Sequence, residues 1–408
     1  MERATYDLIV IGSGPAGEKG AAQAAYFDKK VALVEEAPSY GGAVANTGVP
    51  GKAMRETALY LSGLRQRDLH GLTLSYDGTL TVDRFMHRGR VVREALNQWI
   101  GANLDRHHVD VHRGRAAFVD AHTVAVKDEA GSRLLEAGVI LIATGSTPYR
   151  PSTIPFGEPG VYDSDTILQM ERLPRSLTIV GGGAIGCEYA CLFKVLGLDE
   201  VRVINSGELI LPFADEEISS MLREAMESLG IEFHTPDSVE RVEAGPTLTL
   251  GLRSGKRLEA EALLVALGRR GNVAALRLEN AGVRVNEQGQ LLVNEHFQTN
   301  VPHIYAAGDV IGGPCRRRQW RRRGWRWSTP SISNTRRVSA LSYRSGSGRS
   351  RRSRWWERPS RACARRRWLM SWGAGGTTPI RAACSSASAG GCSSFSSPGR
   401  MKSCSGCT

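Results

Sequence analysis

Gly12, Gly14 and Gly17 stand between the apolar run LIVI and an alanine-rich stretch, and Glu35 closes a second apolar run, VALVE. Short apolar, β-branched runs read as strands buried on both faces, and the alanine-rich stretch between them reads as a helix. A strand, a G-x-G-x-x-G turn, a helix, a second strand and an acid about 20 residues on form the pattern that holds a dinucleotide. Gly12 permits the tight turn, Gly14 lets the backbone approach a pyrophosphate, and Gly17 lets helix and strand pack closely. The helix start, with Pro15 and Ala16 in its first turn, presents free N–H groups and a positive dipole end to phosphate. Glu35, with Glu36 beside it, supplies carboxylate acceptors for a ribose diol.

The pattern recurs. SLTIVGGGAIGCEYACLFKVLGLDEVRVIN holds Gly181, Gly183, Ile185 and Gly186 between a strand and a helix. Two such units imply two dinucleotide domains. The second unit ends in Asn205 rather than an acid. A carboxylate there binds a ribose 2′-OH and repels a 2′-phosphate. A neutral Asn removes that repulsion and permits NAD or NADP. The alternative is that Glu208 or another nearby group takes the acid's place.

Charge divides the chain. The net charge of +12 is the sum of +21 from Cys315 onward, where 21 Arg and one Lys face one acid, and −9 on residues 1–314. Cysteine divides at the same place: only Cys187 and Cys191 precede it. A secreted disulfide framework would not leave the acidic body so poor in cysteine. No signal-type segment opens the chain, and no apolar run approaches the roughly 18 residues of a membrane helix. The body is therefore expected in the cytoplasm, with no membrane partner. Cys187 and Cys191, spaced i, i+4, read as small apolar packing rather than a redox pair. His107, His108 and His112, beside Arg106 and Arg113, are not read as metal ligands, and no metal is expected.

Six segments from Asp7 to Val310 carry a resemblance: IGSGPAG, GGAVANTGVPGK, ILIATGSTPYRP, IVGGGAIGCEYA, VALGRRGN and HIYAAGDV. In this order they resemble the flavoprotein disulfide reductase family, the class I pyridine nucleotide-disulfide oxidoreductases. VYDSDTIL and INSGELILPFADEE are most similar to its soluble transhydrogenase branch. The resemblance implies an α/β fold with two Rossmann-like dinucleotide-binding domains. FAD would occupy the first, in residues 1–145 and 273–312, and NAD or NADP the second, inserted at 146–272. It also implies a homodimer whose C-terminal interface domain is missing or scrambled here, in residues 313–408.

The same resemblance assigns further site residues. Gly41 and Gly42, the crossover at Ala143, Thr144 and Gly145, and the pair Gly268 and Arg269 line the cofactor sites. Asp309 lies beside the flavin ribitol and pyrophosphate, and Gly308 permits the close approach. Lys52 stands beside flavin N5, with Glu188 as its carboxylate partner near the nicotinamide. One departure names the chemistry. Disulfide-reducing members carry G-G-x-C-x-N-x-G-C-x-P-S-K. Here Val44 replaces the first cysteine, the stretch is one residue short before Pro50, and the second cysteine is absent. A thiolate is the obligate nucleophile of dithiol exchange, so that reaction is lost. Hydride transfer between nicotinamide and flavin needs no cysteine and survives. The expected activity is transfer from NADPH through flavin to NAD. The alternatives are a dihydrolipoamide-dehydrogenase-like oxidoreductase and a nucleotide- or nucleic-acid-binding protein without catalysis.

The tail RRRQWRRRGWRW has an unusual explanation. Tryptophan has one codon, TGG, and reading one base early turns each into NTG, which is Leu, Met or Val. With synonymous codons chosen, residues 319–330 then read SMEKAGLAVVHA and residues 352–357 read EVAMVG. Residues 370–383 read YELGRGRYDTNPRG, and residues 404–408 read LLGVH. All four share one offset and resemble the family's C-terminal half. The tail is expected to be a frameshifted translation beginning near Gly312 or Gly313, disordered for want of any apolar pattern, rather than an arm for nucleic acid. Without the closing helix and the dimer interface, flavin binding is expected to be weak and activity low.

Overall fold

A computed structural model describes residues 3–66 and 82–312, with side chains described for 3–59 and 87–312; all lie in one of two compact units of the chain. Residues 313–408, to which the frameshift, the expected disorder and the missing interface domain refer, lie outside the described residues.

The apolar runs become the centres of two parallel sheets. In the first, β1 (Arg3–Ile11) leads through α1 (Pro15–Tyr26) to β2 (Val31–Glu35). The helices α2 (Val49–Gln66) and α3 (Val82–Arg106) then precede β3 (Asp110–Arg113). An antiparallel meander follows, formed by β4 (Arg115–Phe118), β5 (Thr123–Asp128) and β6 (Gly131–Ile142). The sheet order is β3-β2-β1-β6-β5-β4, and β1 runs parallel to both β2 and β6. Strand order therefore reverses at β1, and the crevice outside the carboxyl ends at such a switch point is where open α/β sheets bind ligands.

The second sheet repeats this plan inside the first. The chain leaves through β7 (Ser146–Pro148) and β8 (Val161–Asp163) and reaches β9 (Ser176–Val180). It continues through α4 (Ala184–Leu196), β10 (Glu200–Ile204), α5 (Glu216–Ser228) and β11 (Ile231–His234). A three-stranded antiparallel sheet of β12 (Val239–Glu243), β13 (Leu248–Leu252) and β14 (Arg257–Ala260) follows, and then β15 (Ala262–Val265). The parallel order is β11-β10-β9-β15-β8, so strand order reverses at β9. The chain returns through β16 (Arg269–Gly271), which pairs antiparallel with β7, and β17 (Ile304–Ala306) joins the first sheet beside the end of β6.

Burial follows the period of two that a strand imposes. Leu8, Val10 and Leu33 pack under α1 and α3 with Ala21, Ala24, Ile100 and Leu104. Their neighbours Ile9, Ile11 and Val34 pack on the opposite face with Phe118, Val124, Ile140 and Ile304. In the second sheet Leu177, Ile179, Val203 and Leu264 meet α4 at Ala190 and Phe193, while Val180, Ile204, Leu263 and Val265 meet the antiparallel sheet. Both faces are covered, which is why these strands read as unbroken apolar runs. Each fully buried aliphatic side chain contributes about 1.5–3 kcal/mol. Helix α4 ends at Gly197 in the left-handed region, and α5 begins at Asp215, whose carboxylate accepts from the Glu217 amide.

Phe193 is fully buried between α4 and the second sheet. The substitution Phe193→Ala is expected to cost about 3–5 kcal/mol, read as a lowered urea midpoint; an unchanged midpoint would show that α4 does not pack as described.

Candidate functional site

The two glycine turns are geometric copies. The Gly12 amide donates to Val34 O at 2.8 Å, and the Gly181 amide donates to Ile204 O at the same distance. Both residues lie in the left-handed region, at φ +101 and +113. A Cβ on Gly12 would collide with Ala143 O, and one on Gly181 would stand 2.5 Å from Ala266 O. Gly17 and Gly186 have no room either, since a Cβ on each would strike the carbonyl oxygen of Gly12 or Gly181. These four glycines are demanded by the protein's own packing.

Gly14 and Gly183 are different. A Cβ on Gly14 meets nothing nearer than Ala143 O at 4.0 Å, and one on Gly183 meets nothing within 4 Å. They begin α1 and α4, and neither helix start has a side-chain cap. Open space in front of uncapped N–H groups is what a pyrophosphate requires. The residues present therefore fit a dinucleotide at each turn.

The residues that end β2 and β10 fasten the turns. Glu35 Oε2 accepts from the Ser13 amide at 2.7 Å, and its Oε1 accepts from Ala37 N at 2.9 Å. Two of its four lone-pair positions remain for a hydroxyl pair. Asn205 takes the equivalent place, with Oδ1 accepting from the Gly182 amide at 3.0 Å. Its Nδ2 donates to Gly207 O and Leu209 O. Glu36 is turned elsewhere, into an exposed ion pair with Arg115 at 2.6 Å.

Gly41 and Gly42 close over the first turn. The Gly41 amide donates to Ser13 Oγ at 3.0 Å, and a Cβ on Gly42 would lie 3.5 Å from Gly14 Cα. Residues Val44–Gly48, which begin at the place of the disulfide-reducing members' first cysteine, form a π-helical turn that runs into α2. Asn46 Nδ2 ties this turn to Tyr40 O and Gly42 O, and Val44 is half exposed. Lys52 is exposed on α2, and Glu188 is half-buried on α4. The helices pack through Met54 and Ala58 in one cluster with Cys187 and Ala190. No ion pair within 4 Å joins Lys52 to Glu188.

The crossover residues gather at the carboxyl end of β6. The Ala143 amide donates to Ile11 O, and Asn272 bonds Gly145 and Thr144 through backbone and side chain. Thr144 Oγ1 is buried without a hydrogen-bond partner, a vacancy that costs about 1–3 kcal/mol unless a ligand fills it. Gly308, in the left-handed region at φ +83, stands against Ala16, and both Gly308 and Asp309 are exposed. Ser146 Oγ donates to Asp309 Oδ2 at 3.2 Å and accepts from Arg269 Nε at 2.9 Å. Arg269 also bonds Ser146 O, Ser164 Oγ and both oxygens of Asp165. These bonds match its five N–H donors, so Arg269 acts through Ser146 and offers no free donor of its own. Gly268 lies beside it at φ +97, its carbonyl accepting from Tyr149 N.

Thr144 was expected at the crossover, whereas Ser13, Ser146 and Asp165 were not expected from sequence. Ser146 follows the ATG segment directly, but its partners lie 123 and 163 residues away and leave no local signal.

Desolvation holds the two thiols protonated. Burial pushes both Cys187 and Cys191 up to about 12, and Cys187 Sγ faces Gly182 O. Of the histidines, His107 bonds Asn103 O at 2.8 Å, and His112 meets the Tyr6 hydroxyl at 3.0 Å. Among the described residues no cluster of three or more His, Cys, Asp or Glu could hold a metal, and no helix is long and apolar enough to cross a membrane.

Comparison with known proteins places these features. A family model described as pyridine nucleotide-disulphide oxidoreductase matches residues 6–327. The soluble pyridine nucleotide transhydrogenase of Mycobacterium bovis (strain BCG / Pasteur 1173P2) is 40% identical over 314 residues, covering 76% of this chain and 67% of the relative. That of Marinomonas sp. (strain MWYL1) is 42% identical over the same shares. This chain thus spans about two thirds of the length of these relatives. Among solved structures, the Cu(II) complex of the HOCl-induced flavoprotein disulfide reductase RclA from Escherichia coli superposes with a TM-score of 0.69 at 29% identity, over 82% of this chain and 70% of that one.

Two outcomes follow from the site's geometry. Gly183→Ala is expected to leave the urea midpoint nearly unchanged, whereas Gly186→Ala lowers it by more than 1 kcal/mol-equivalent, of order ~1–3 kcal/mol as overpacking does; equal effects would contradict the described turn. Because the thiolates of Cys187 and Cys191 form only as pH rises toward about 12, peptide mapping after alkylation at pH 8 should find the buried Cys187 unmodified and the partly buried Cys191 slow to react in the native protein, and both modified in denaturant. Rapid native labelling of Cys187 would refute its burial.

Proposed function

We propose that this chain, which belongs to the pyridine nucleotide-disulphide oxidoreductase family, exchanges hydride between nicotinamide nucleotides as a soluble transhydrogenase does, in the direction NADPH to NAD. The family is FAD-dependent and uses NAD(P), and the chain is by membership an oxidoreductase. One observation carries the specific proposal: the duplicated dinucleotide turn is intact while the dithiol position holds Val44.

Residues 1–145 and 273–312 form the FAD-binding domain of the proposal, and residues 146–272 form the nicotinamide-nucleotide domain. The FAD pyrophosphate falls to Gly12–Gly17, and its adenosine ribose falls to the free lone pairs of Glu35. Gly41, Gly42 and Thr144 close that side. Asp309, held by Ser146, takes the ribitol and pyrophosphate side. The nicotinamide nucleotide falls to Gly181–Gly186 and Asn205. The chemistry that FAD supplies when bound is two-electron hydride exchange with nicotinamide. Lys52 contributes a cation where negative charge develops, with Glu188 on the neighbouring helix. The thiols of Cys187 and Cys191 take no part. A cytoplasmic location belongs to the same proposal and is supported by the free state of Cys187 and Cys191.

The test is turnover with added FAD, using NADPH and thio-NAD as donor and acceptor, with lipoamide in a parallel assay. Slow exchange with thio-NAD that depends on the added FAD, and none with lipoamide, is the expected result; lipoamide reduction would remove the transhydrogenase assignment. Lys52→Met should lower exchange about 100-fold at equal flavin occupancy, and an unchanged rate would take Lys52 out of the chemistry.

A further inference from the structure

The ribbon of β7 and β16 lies against the turn that carries Asp309. Gly271, the last residue of β16, makes this possible, because a Cβ there would come 2.7 Å from Gly289 O and 3.2 Å from Val310 O. Arg269, two residues earlier on the same strand, is thereby one side chain away from Asp309. That side chain is Ser146. Arg269 Nε donates to Ser146 Oγ at 2.9 Å, and Ser146 Oγ donates to Asp309 Oδ2 at 3.2 Å. A hydroxyl carries one hydrogen and accepts at its lone pairs. With the Arg269 N–H on a lone pair, the Ser146 hydrogen is directed to the carboxylate. Among the described residues no other side chain bonds that carboxylate. Asp309 is exposed beside Gly308, which stands against Ala16 of α1.

The other end of Arg269 is fixed by the second sheet. Nη1 donates to Asp165 Oδ1 at 2.8 Å, and Nη2 donates to Asp165 Oδ2 at 3.3 Å. A two-pronged pair of this kind fixes the plane of the guanidinium. Asp165 is presented by a turn built on Asp163, the last residue of β8. Asp163 is completely buried, accepts from the Asp165 and Thr166 amides at 2.9 Å each, and pairs with Arg150 at 2.6 Å. Burial works against its charge, but these amides and the Arg150 guanidinium outweigh burial and hold the carboxyl below its usual range. The anchor of Arg269 is therefore made by residues of the inserted domain, whereas the carboxylate it reaches belongs to the outer one. Lysine could not serve in its place. An ammonium is a point charge and cannot hold both Asp165 oxygens and Ser146 Oγ in one plane, as the guanidinium fork does.

We propose that Arg269 is a positioning residue for the flavin: anchored on Asp165, it orients the Ser146 hydroxyl and through it the Asp309 carboxylate, so that residues of the inserted domain help to set FAD affinity at the first turn. This rests on the proposed place of FAD there.

The test is FAD binding, measured apart from turnover, with thermal unfolding of the flavin-free protein beside it. FAD is titrated into the purified full chain and followed by quenching of its fluorescence. Ser146→Ala leaves Arg269 its bonds to Asp165 and to the Ser146 carbonyl. It should weaken FAD about tenfold, as loss of a hydrogen bond to a charged group does. Arg269→Lys should weaken FAD to a similar degree while the flavin-free melting temperature falls little, because a cation still faces Asp165. The two changes combined should cost no more than either alone, since both cut the same path. Asp165→Asn, in the inserted domain, should weaken FAD in the same direction. Additive losses in the combined variant, or losses that only follow a falling melting temperature, would make Arg269 a structural strut and overturn the role. Equal FAD binding by the parent and all variants overturns the role alone and leaves FAD at the first turn. No FAD binding by the parent overturns the role and the flavin assignment together.

Discussion

The close approach of a helix to a strand, with no side chain between them, is the constraint on which both halves of the described structure depend. At Gly17 the helix lies so near the Gly12 carbonyl that a methyl group cannot enter, and Gly186 repeats this against Gly181. That contact aims the first turn of each helix at the crevice beside the switch strand. It also fixes where the next strand ends, so that Glu35 and Asn205 arrive within hydrogen-bond reach of the turn. An open, uncapped helix start and a strand-end residue bonded to the turn are thus two results of one packing decision.

Sequence carried this part of the structure well, because every component is local. The glycines, the flanking apolar runs and the residue ending the second strand fall within about 30 residues of one another, the size of one βαβ unit. What it did not carry is made at long range. The link from Asp309 through Ser146 to Arg269 and Asp165 joins residues that share no periodicity and no motif. The role foreseen for Arg269 at the cofactor becomes an indirect one for the same reason, since its donors are taken by partners that only the fold reveals. Lys52 and Glu188 lie on packed helices, as the family pattern implies, but the ion pair foreseen between them is not formed. The π-helical turn at Val44–Gly48 was also invisible, being set by Asn46 bonding Tyr40 and Gly42 rather than by propensity.

The same architecture separates hydride chemistry from thiol chemistry. The two cysteines of the described residues sit on α4, directly behind the second turn, yet burial keeps them protonated. They fill space between helix and sheet as small apolar groups. The position that would face a flavin from the other side holds a valine. Among the described residues the two glycine turns are kept, and the cysteines are confined to α4, away from the place of the disulfide-reducing members' dithiol.

The ribbon of β7 and β16 has a consequence for synthesis. Ser146, where the inserted sheet departs, faces Gly271, where it returns, so the insert begins and ends at one place. Its strands can close among themselves as soon as they emerge from the ribosome. The outer sheet cannot: the carboxyl end of β6 keeps an open edge until β17 arrives some 160 residues later, at Ile304–Ala306. The nascent chain thus completes its inner module first and its outer module last, and Asp309, which accepts from Ser146 at the crossover, is among the final residues to be made before the tail.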